Sequence, residues 1–148
     1  MSKPVDVPFE TTVSVRDACL CLHTQRAARS LARRFDQAFR PLGLTNGQFS
    51  LLMSLNRPEP PAMGPVATLL AMDRTTLTAA LKPLLRRGLV EVTPDPADKR
   101  GRLLGLTRDG LALLRQAVPI WKATHDAVEL LLPGGDAHSL RRSLLALA

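Results

Sequence analysis

Apolar residues along this chain recur at two periods, and the change from one to the other marks out its elements. Between Ser14 and Phe39 there is neither proline nor glycine, and Leu20, Thr24, Ala27, Leu31, Phe35 and Ala38 return at steps of three and four. That spacing predicts one long amphipathic helix, preceded by an arm without periodicity (Pro4, Pro8) and ended by Arg40-Pro41-Leu42-Gly43. Thr45 to Gln48 reads as a capping box that opens a second, shorter helix with Phe49, Leu52 and Met53 as its apolar stripe. Arg57 to Pro61 is a proline-rich loop. A third helix is expected from about Pro65, since proline suits a first helical turn, with Val66, Leu69 and Leu70 inward.

Asp73 is the N-cap expected for a fourth helix. Here Leu77, Ala80, Leu81 and Leu84 fall at i, i+3, i+4 and i+7, which leaves Thr75, Thr76, Ala79, Lys82 and Arg86 outward. Pro83 is expected to kink its last turns, and Gly88 suits the residue just past its end. The period then shortens to two. Val90 and Val92 alternate with Glu91, and Leu104 and Leu106 alternate with Gly105, across a loop of turn formers, which is a hairpin pattern. Thr107 caps a long final helix in which Leu111, Leu114, Val118, Trp121, His125, Val128 and Leu132 keep an unbroken three-four spacing. Such a heptad-like seam calls for a partner helix. Pro133-Gly134-Gly135 ends it, and residues 139–147 have room for one more helix. The expected fold is mainly α with one small β-hairpin.

Composition narrows the partner. The chain has 148 residues, 45% hydrophobic and 22% charged, with no tyrosine and only 3% aromatics, so one ordinary domain with an aliphatic core is expected. A net charge of +7 and a pI near 10.7 favour a polyanion, nucleic acid first and anionic membrane surface second. The cations cluster. Arg74, Lys82, Arg86, Arg87, Lys99, Arg100, Arg102 and Arg108 face only Asp73, Glu91, Asp95 and Asp98 in the same stretch. A second group, Arg16, Arg26, Arg29, Arg33, Arg34 and Arg40, rides the first helix with Asp17 and Asp36. A solvated face accounts for that second group equally well. There is no run of about 18 apolar residues to span a membrane and no apolar signal core, so a cytoplasmic location is expected. No nucleophile–base–acid set, Gly-rich phosphate loop or paired carboxylate motif points to an enzyme, and nothing calls for a cofactor.

The segments LTNGQFSLLMSL and MDRTTLTAALKPLLRRGLVEV, the tip Asp95-Pro96-Ala97-Asp98-Lys99-Arg100 and the exit LTRDGLALL follow one another at fixed distances. In this order they resemble the MarR family of winged helix-turn-helix transcription regulators, from about Val15 to Leu147. The resemblance implies a single domain over residues 1–148. Residues 45–106 would form the DNA-binding lobe, and residues 14–40 and 107–148 the dimerisation helices.

It also implies a homodimer that reads a pseudo-palindromic duplex, with half-sites about 34 Å apart. Arg74, Thr75, Thr76 and Thr78 would contact base edges and backbone from the first two turns of the recognition helix, with Lys82 on a phosphate. Arg100 would enter the minor groove, held by Asp98, while Lys99 and Arg102 add phosphate contacts. A winged fold that serves only as a protein interaction module is the alternative.

Regulators of this kind respond to small, often aromatic, anions or to cysteine oxidation, and release of a repressor is the expected mode. His23, Arg26, Phe49, Met53 and Trp121 are the candidate effector residues; His23 and Arg26, at i and i+3, can hold a carboxylate. Interhelix packing explains the same residues. Cys19 and Cys21 form a C-x-C on the first predicted helix. There they would point about 200° apart, too divergent for a mutual disulfide. A sulfenic acid, an intersubunit disulfide or plain apolar packing stays open, and a metal would need a further ligand beside Cys19, Cys21 and His23. The peroxide-sensing branch pairs its thiol with tyrosines, which this chain lacks.

Overall fold

A computed structural model describes residues 6–148. Seven helices and one hairpin follow in the order α1 (Phe9–Ala18), α2 (Leu20–Phe39), α3 (Asn46–Leu55), α4 (Met63–Leu69), α5 (Arg74–Arg86), β1 (Val90–Asp95), β2 (Asp98–Leu106), α6 (Arg108–Glu129) and α7 (Ala137–Leu147). Short 3-10 turns cover Arg40–Leu42 and Pro133–Gly135. The chain divides into two compact units, one up to Arg34 and one from Phe35 onward.

In the first unit the expected single helix is two. Helix begins at Phe9, inside what the sequence marks as an arm, and it stops at Cys19, whose backbone is extended (φ −69°, ψ 110°). Cys19 then starts α2. Its carbonyl accepts the amide of His23 at 3.1 Å, and its Sγ accepts the amide of Leu22 at 3.4 Å. The thiol thus takes the place of a capping oxygen at the new helix end, where free amides need an acceptor. Cys19 and Cys21 therefore do not share one helix, and the 200° divergence expected of them does not apply.

The second unit holds the core. Phe39, Leu52, Val66, Leu77, Leu84 and Leu104 are fully buried, with Leu51, Leu55, Leu81, Val90, Leu114 and Ala117 around them. Phe39 stacks on Phe49 at 4.7 Å between ring centroids. Thr45 makes the capping box in full: its hydroxyl accepts the Gln48 amide at 3.2 Å, and the Gln48 side chain accepts the Thr45 amide at 3.1 Å. Asp36 adds a tertiary cap to α3, accepting both the backbone and the side-chain N–H of Asn46 at 2.6 and 2.8 Å. Those two bonds, backbone first, hold its pKa below the ordinary 3.8.

Several expected inward residues lie elsewhere. In α3 the buried set is Phe49, Leu51, Leu52, Ser54 and Leu55, and Met53 is 40% exposed. In α4 Val66 and Ala67 are buried, whereas Leu69 is 62% exposed. The helix starts at Met63, two residues ahead of Pro65, and Met63 and Leu70 at its two ends also pack against the core. Helix α5 runs through Pro83 to Arg86.

The strands pair antiparallel, Val90 with Leu106 and Val92 with Leu104, with an irregularity between Pro94 and Asp95. Leu104 also donates its amide to the Pro61 carbonyl at 2.8 Å, beside an isolated bridge between Ala62 and Leu103. The proline-rich loop thereby supplies a third, one-sided strand edge. Pro61 lacks an N–H, so it can only accept there. Val90 and Leu104 are buried, whereas Val92, the partner of Leu104, is 39% exposed. In α6 the seam splits: Leu114 joins the core, together with Ala117 from outside the seam, while Val118 and Trp121 stay exposed.

Candidate nucleic-acid interface

Helix α5 is built so that one side is anchored and the other free. Leu77, Leu81 and Leu84 are buried, and Arg74, Thr75, Thr76, Thr78, Ala79 and Lys82 are exposed. Arg74 to Lys82 covers about 12 Å of helix axis, a length that lies within a major groove. The Asp73 carboxylate accepts the Thr76 amide at 2.7 Å. That backbone bond, followed by one from the Thr76 hydroxyl, lowers the Asp73 pKa. The remaining first-turn amides face outward, where an anion is favoured. Thr78 donates its hydroxyl to the Arg74 carbonyl at 2.8 Å. Its proton is committed, and it presents a lone pair and a methyl group outward.

The turn that delivers α5 is strained. Ala71 sits at φ 52°, the one non-glycine with positive φ among the described residues. Amides on either side of this turn still close it, Ala71 onto Thr68 at 3.1 Å and Met72 onto Ala67 at 2.9 Å. This bonding resembles a Schellman end to α4.

In the wing, Asp98, Lys99, Arg100 and Arg102 are all exposed. Asp98 grips Arg100 by its main chain: the carboxylate accepts the Arg100 amide at 3.0 Å. No ion pair joins the Arg100 guanidinium to a carboxylate among the described residues. Asp98 therefore shapes the turn and leaves the Arg100 head free. Asp95 does the same one step earlier, accepting the Ala97 amide at 2.9 Å. Arg102 donates to the Gly101 carbonyl at 3.1 Å. A Cβ on Gly101 would lie 3.2 Å from the Cβ of Asp95 and 3.3 Å from that of Asp98, so the tip is tight around a glycine. Sequence reasoning passed over Asp95 and Gly101 as shapers of the tip; the Asp-Pro-x-Asp turn pattern signals Asp95, and a glycine three residues past it signals the tight approach.

The two arginines after α5 differ. Arg87 donates from Nη1 to the Gly43 carbonyl at 2.7 Å and from Nη2 towards that of Leu42 at 3.4 Å. It is a strut to the end of the Arg40–Leu42 turn, whereas Arg86 is exposed with no such bond.

The candidate effector residues fall in both units. His23 and Arg26 meet in a recess of about 610 Å³ on α2, lined also by Ala27, Arg29, Ser30 and Arg33. In the second unit Phe49 is committed to the core against Phe39, and Met53 is exposed. Trp121, 37% exposed, stacks on His125 at 4.9 Å. Both cysteines are free thiols, Cys19 half-buried and Cys21 exposed.

Comparison with known proteins agrees with this arrangement. The family model for the MarR family matches residues 44–101. The HTH-type transcriptional repressor NicR of Pseudomonas putida is 33% identical over 121 residues, covering 80% of this chain and 72% of NicR. The solved complex of the M. tuberculosis transcriptional regulator MosR with DNA is 40% identical with a TM-score of 0.79, over 87% of this chain and 92% of that one. The transcriptional repressor CouR bound to a 23-mer DNA duplex is 29% identical with a TM-score of 0.79, over 90% and 94% of the two chains. The chain belongs to the MarR family of transcription regulators. Its fold is the winged helix-turn-helix with a β-hairpin wing. No helix among the described residues is long and apolar enough to cross a membrane.

Proposed function

We propose that this protein is a sequence-specific DNA-binding repressor, without enzymatic activity, that acts in the cytoplasm as a homodimer on a pseudo-palindromic operator. The observation that carries this reading is the pairing of two exposed cationic elements in one unit: the capped α5, with Arg74 and Lys82, and the wing, with Lys99, Arg100 and Arg102. MosR and CouR, similar along most of the chain, are solved on DNA.

In this reading the chain is one domain. Residues 45–106 touch DNA, and residues 14–40 and 107–148 supply the helices that dimerise. Exposed Val118 and Trp121 on α6 and Leu140, Leu144, Leu145 and Leu147 on α7 supply apolar surface for a second copy. The trigger is a small aromatic or anionic effector at His23 and Arg26, or oxidation of Cys19 or Cys21.

The test is fluorescence anisotropy with duplexes tiled across the DNA upstream of the chain's own gene and its neighbours, over a range of salt concentration. One duplex should bind far more tightly than the rest as a dimer. Its affinity should fall steeply with salt, by about 0.9 in log K per log unit of salt for each phosphate contact. Uniform weak binding to every duplex, or none, would refute the reading.

A further inference from the structure

The recess on α2 is more strongly cationic than a site for a simple carboxylate requires. His23, Arg26, Ser30 and Arg33 stand at steps of three, four and three, so they form one stripe along the helix, and Arg29 borders it. The Nδ1 atom of His23 lies 2.8 Å from the Cys19 carbonyl oxygen. A carbonyl only accepts, so Nδ1 carries the proton and Nε2 is left for a ligand. Arg29 is held by a neutral partner, donating to the Gln25 side chain at 3.0 Å. Among the described residues no carboxylate lies within ion-pairing distance of Arg26, Arg29 or Arg33. Asp17, the acid on the neighbouring helix, is already paired with Arg16 at 2.8 Å.

Arg26, Arg29 and Arg33 put three positive charges along one exposed side of α2, with no carboxylate paired to them among the described residues. A monocarboxylate would cancel one charge of three and offer two oxygens to three planar forks. A phosphate ester or pyrophosphate brings two or more charges and enough oxygens to meet several forks and the Ser30 hydroxyl at once. The recess is open to solvent along α2, and its volume of about 610 Å³ leaves room for such an anion. We infer that the recess bounded by His23, Arg26, Arg29, Ser30 and Arg33 binds a small phosphate-bearing polyanion. The inference rests on the proposal that His23 and Arg26 belong to an effector site, and it names that effector's chemical class.

The experiment is calorimetric titration of the full-length protein with inorganic pyrophosphate and, at matched ionic strength, with benzoate as the monoanion. It is repeated on R26Q/R33Q and on R74A/R100A, with circular dichroism melts to confirm that each variant folds. Pyrophosphate should bind the wild type at least tenfold more tightly than benzoate. R26Q/R33Q should lose at least tenfold of that affinity, and R74A/R100A should keep it. Pyrophosphate no tighter than benzoate, or affinity that follows Arg74 and Arg100 instead, would overturn the inference.

A parallel anisotropy titration of the operator complex separates the two claims. Pyrophosphate that binds through Arg26 and Arg33 without displacing DNA upholds the ligand class and removes the effector role. Benzoate that displaces DNA through Arg26, with no preference for pyrophosphate, upholds the effector site and overturns the class.

Discussion

Gly110 and the carbonyl oxygen of Leu89 are so close that a methyl group on the glycine would collide with it. This contact seats the start of α6 on the residue that leads into the wing. Thr107 locks the same junction, donating to the Gly88 carbonyl at 2.6 Å and accepting the Gly110 amide at 3.0 Å. The Leu-Thr-x-x-Gly exit is thus a joint: the threonine ties two segments, and the glycine lets their backbones touch. Gly110→Ala should destabilise the protein by about 1–3 kcal/mol, the usual cost of overpacking. Gly105 is the control, because a Cβ there meets the Glu91 side chain at an ordinary 3.6 Å. Urea unfolding of the two variants checks this, and equal midpoints would remove the close approach.

Arg87 and Arg86 are neighbours in sequence with separate roles. Arg87→Ala removes the 2.7 Å bond to the Gly43 carbonyl and should cost about 1 kcal/mol, at the modest end for an exposed charged donor. Arg86→Ala should change stability by less than about 0.5 kcal/mol. Thermal melts of the two variants side by side distinguish a strut from a solvated cation.

Ala71 holds a left-handed conformation, φ 52°, that costs an L-residue roughly 1–2 kcal/mol and costs glycine little. Glycine also frees the unfolded chain, by about 0.4–1 kcal/mol. Ala71→Gly should therefore stabilise the turn between α4 and α5 by a net amount of about 0.5 kcal/mol. A rise in the urea midpoint is the expected result, and a fall would mean that the alanine side chain contributes packing the turn needs.

Two carboxylates make stability depend on acid. Asp36 and Asp73 both have pKa values lowered by backbone amides, of Asn46 and Thr76 respectively. For a depressed carboxylate the contribution is complete above the unfolded value, 3.8, and is lost as pH falls through the lower folded value. Stability should therefore be flat with respect to these groups above about pH 5 and fall below about pH 4. In D36N/D73N that acid limb should be shallower. An unchanged slope between pH 4 and 2.5, read from urea midpoints, would show that neither cap titrates with folding.

Much of this was legible from residue order. Thr45 to Gln48, Asp73 and Thr107 announce three helix starts because capping is local chemistry, and each cap forms as expected. The alternation of Val90, Val92, Leu104 and Leu106 likewise announces the hairpin. What was hidden depends on tertiary context. The break at Cys19 carries no proline or glycine; it shows only once the thiol and carbonyl of that residue start α2. Met53 and Leu69 look like core from their type, but α3 turns Phe49, Leu51, Leu52 and Leu55 inward and α4 turns Val66 and Ala67 inward, which leaves both outside. The wing was read as an Asp98–Arg100 side-chain pair, whereas the contact runs to the backbone amide, a distinction that spacing alone cannot draw.

On the proposed reading, the exposed side of α5 and the free head of Arg100 make separable contributions to DNA binding. If Arg74 forks onto a base, Arg74→Ala should cost about 1–3 kcal/mol on the best operator and relax selectivity at one position of each half-site. If Lys82, two turns further along the exposed face, acts on a phosphate, Lys82→Ala should weaken every duplex about equally and reduce the salt slope by about one. Arg100→Ala should also weaken binding without unfolding the protein, with the largest loss on operators whose flanks are narrow-grooved A-tracts. Asp98→Ala separates shaping from contact, since it removes the bond to the Arg100 amide and leaves the guanidinium in place. It should lower affinity by less than Arg100→Ala does, and combining the two should cost little more than Arg100→Ala alone. Anisotropy across a set of operator variants measures all four. Full additivity of Asp98→Ala and Arg100→Ala would show that the two residues act independently, and that the turn they share does not position the arginine.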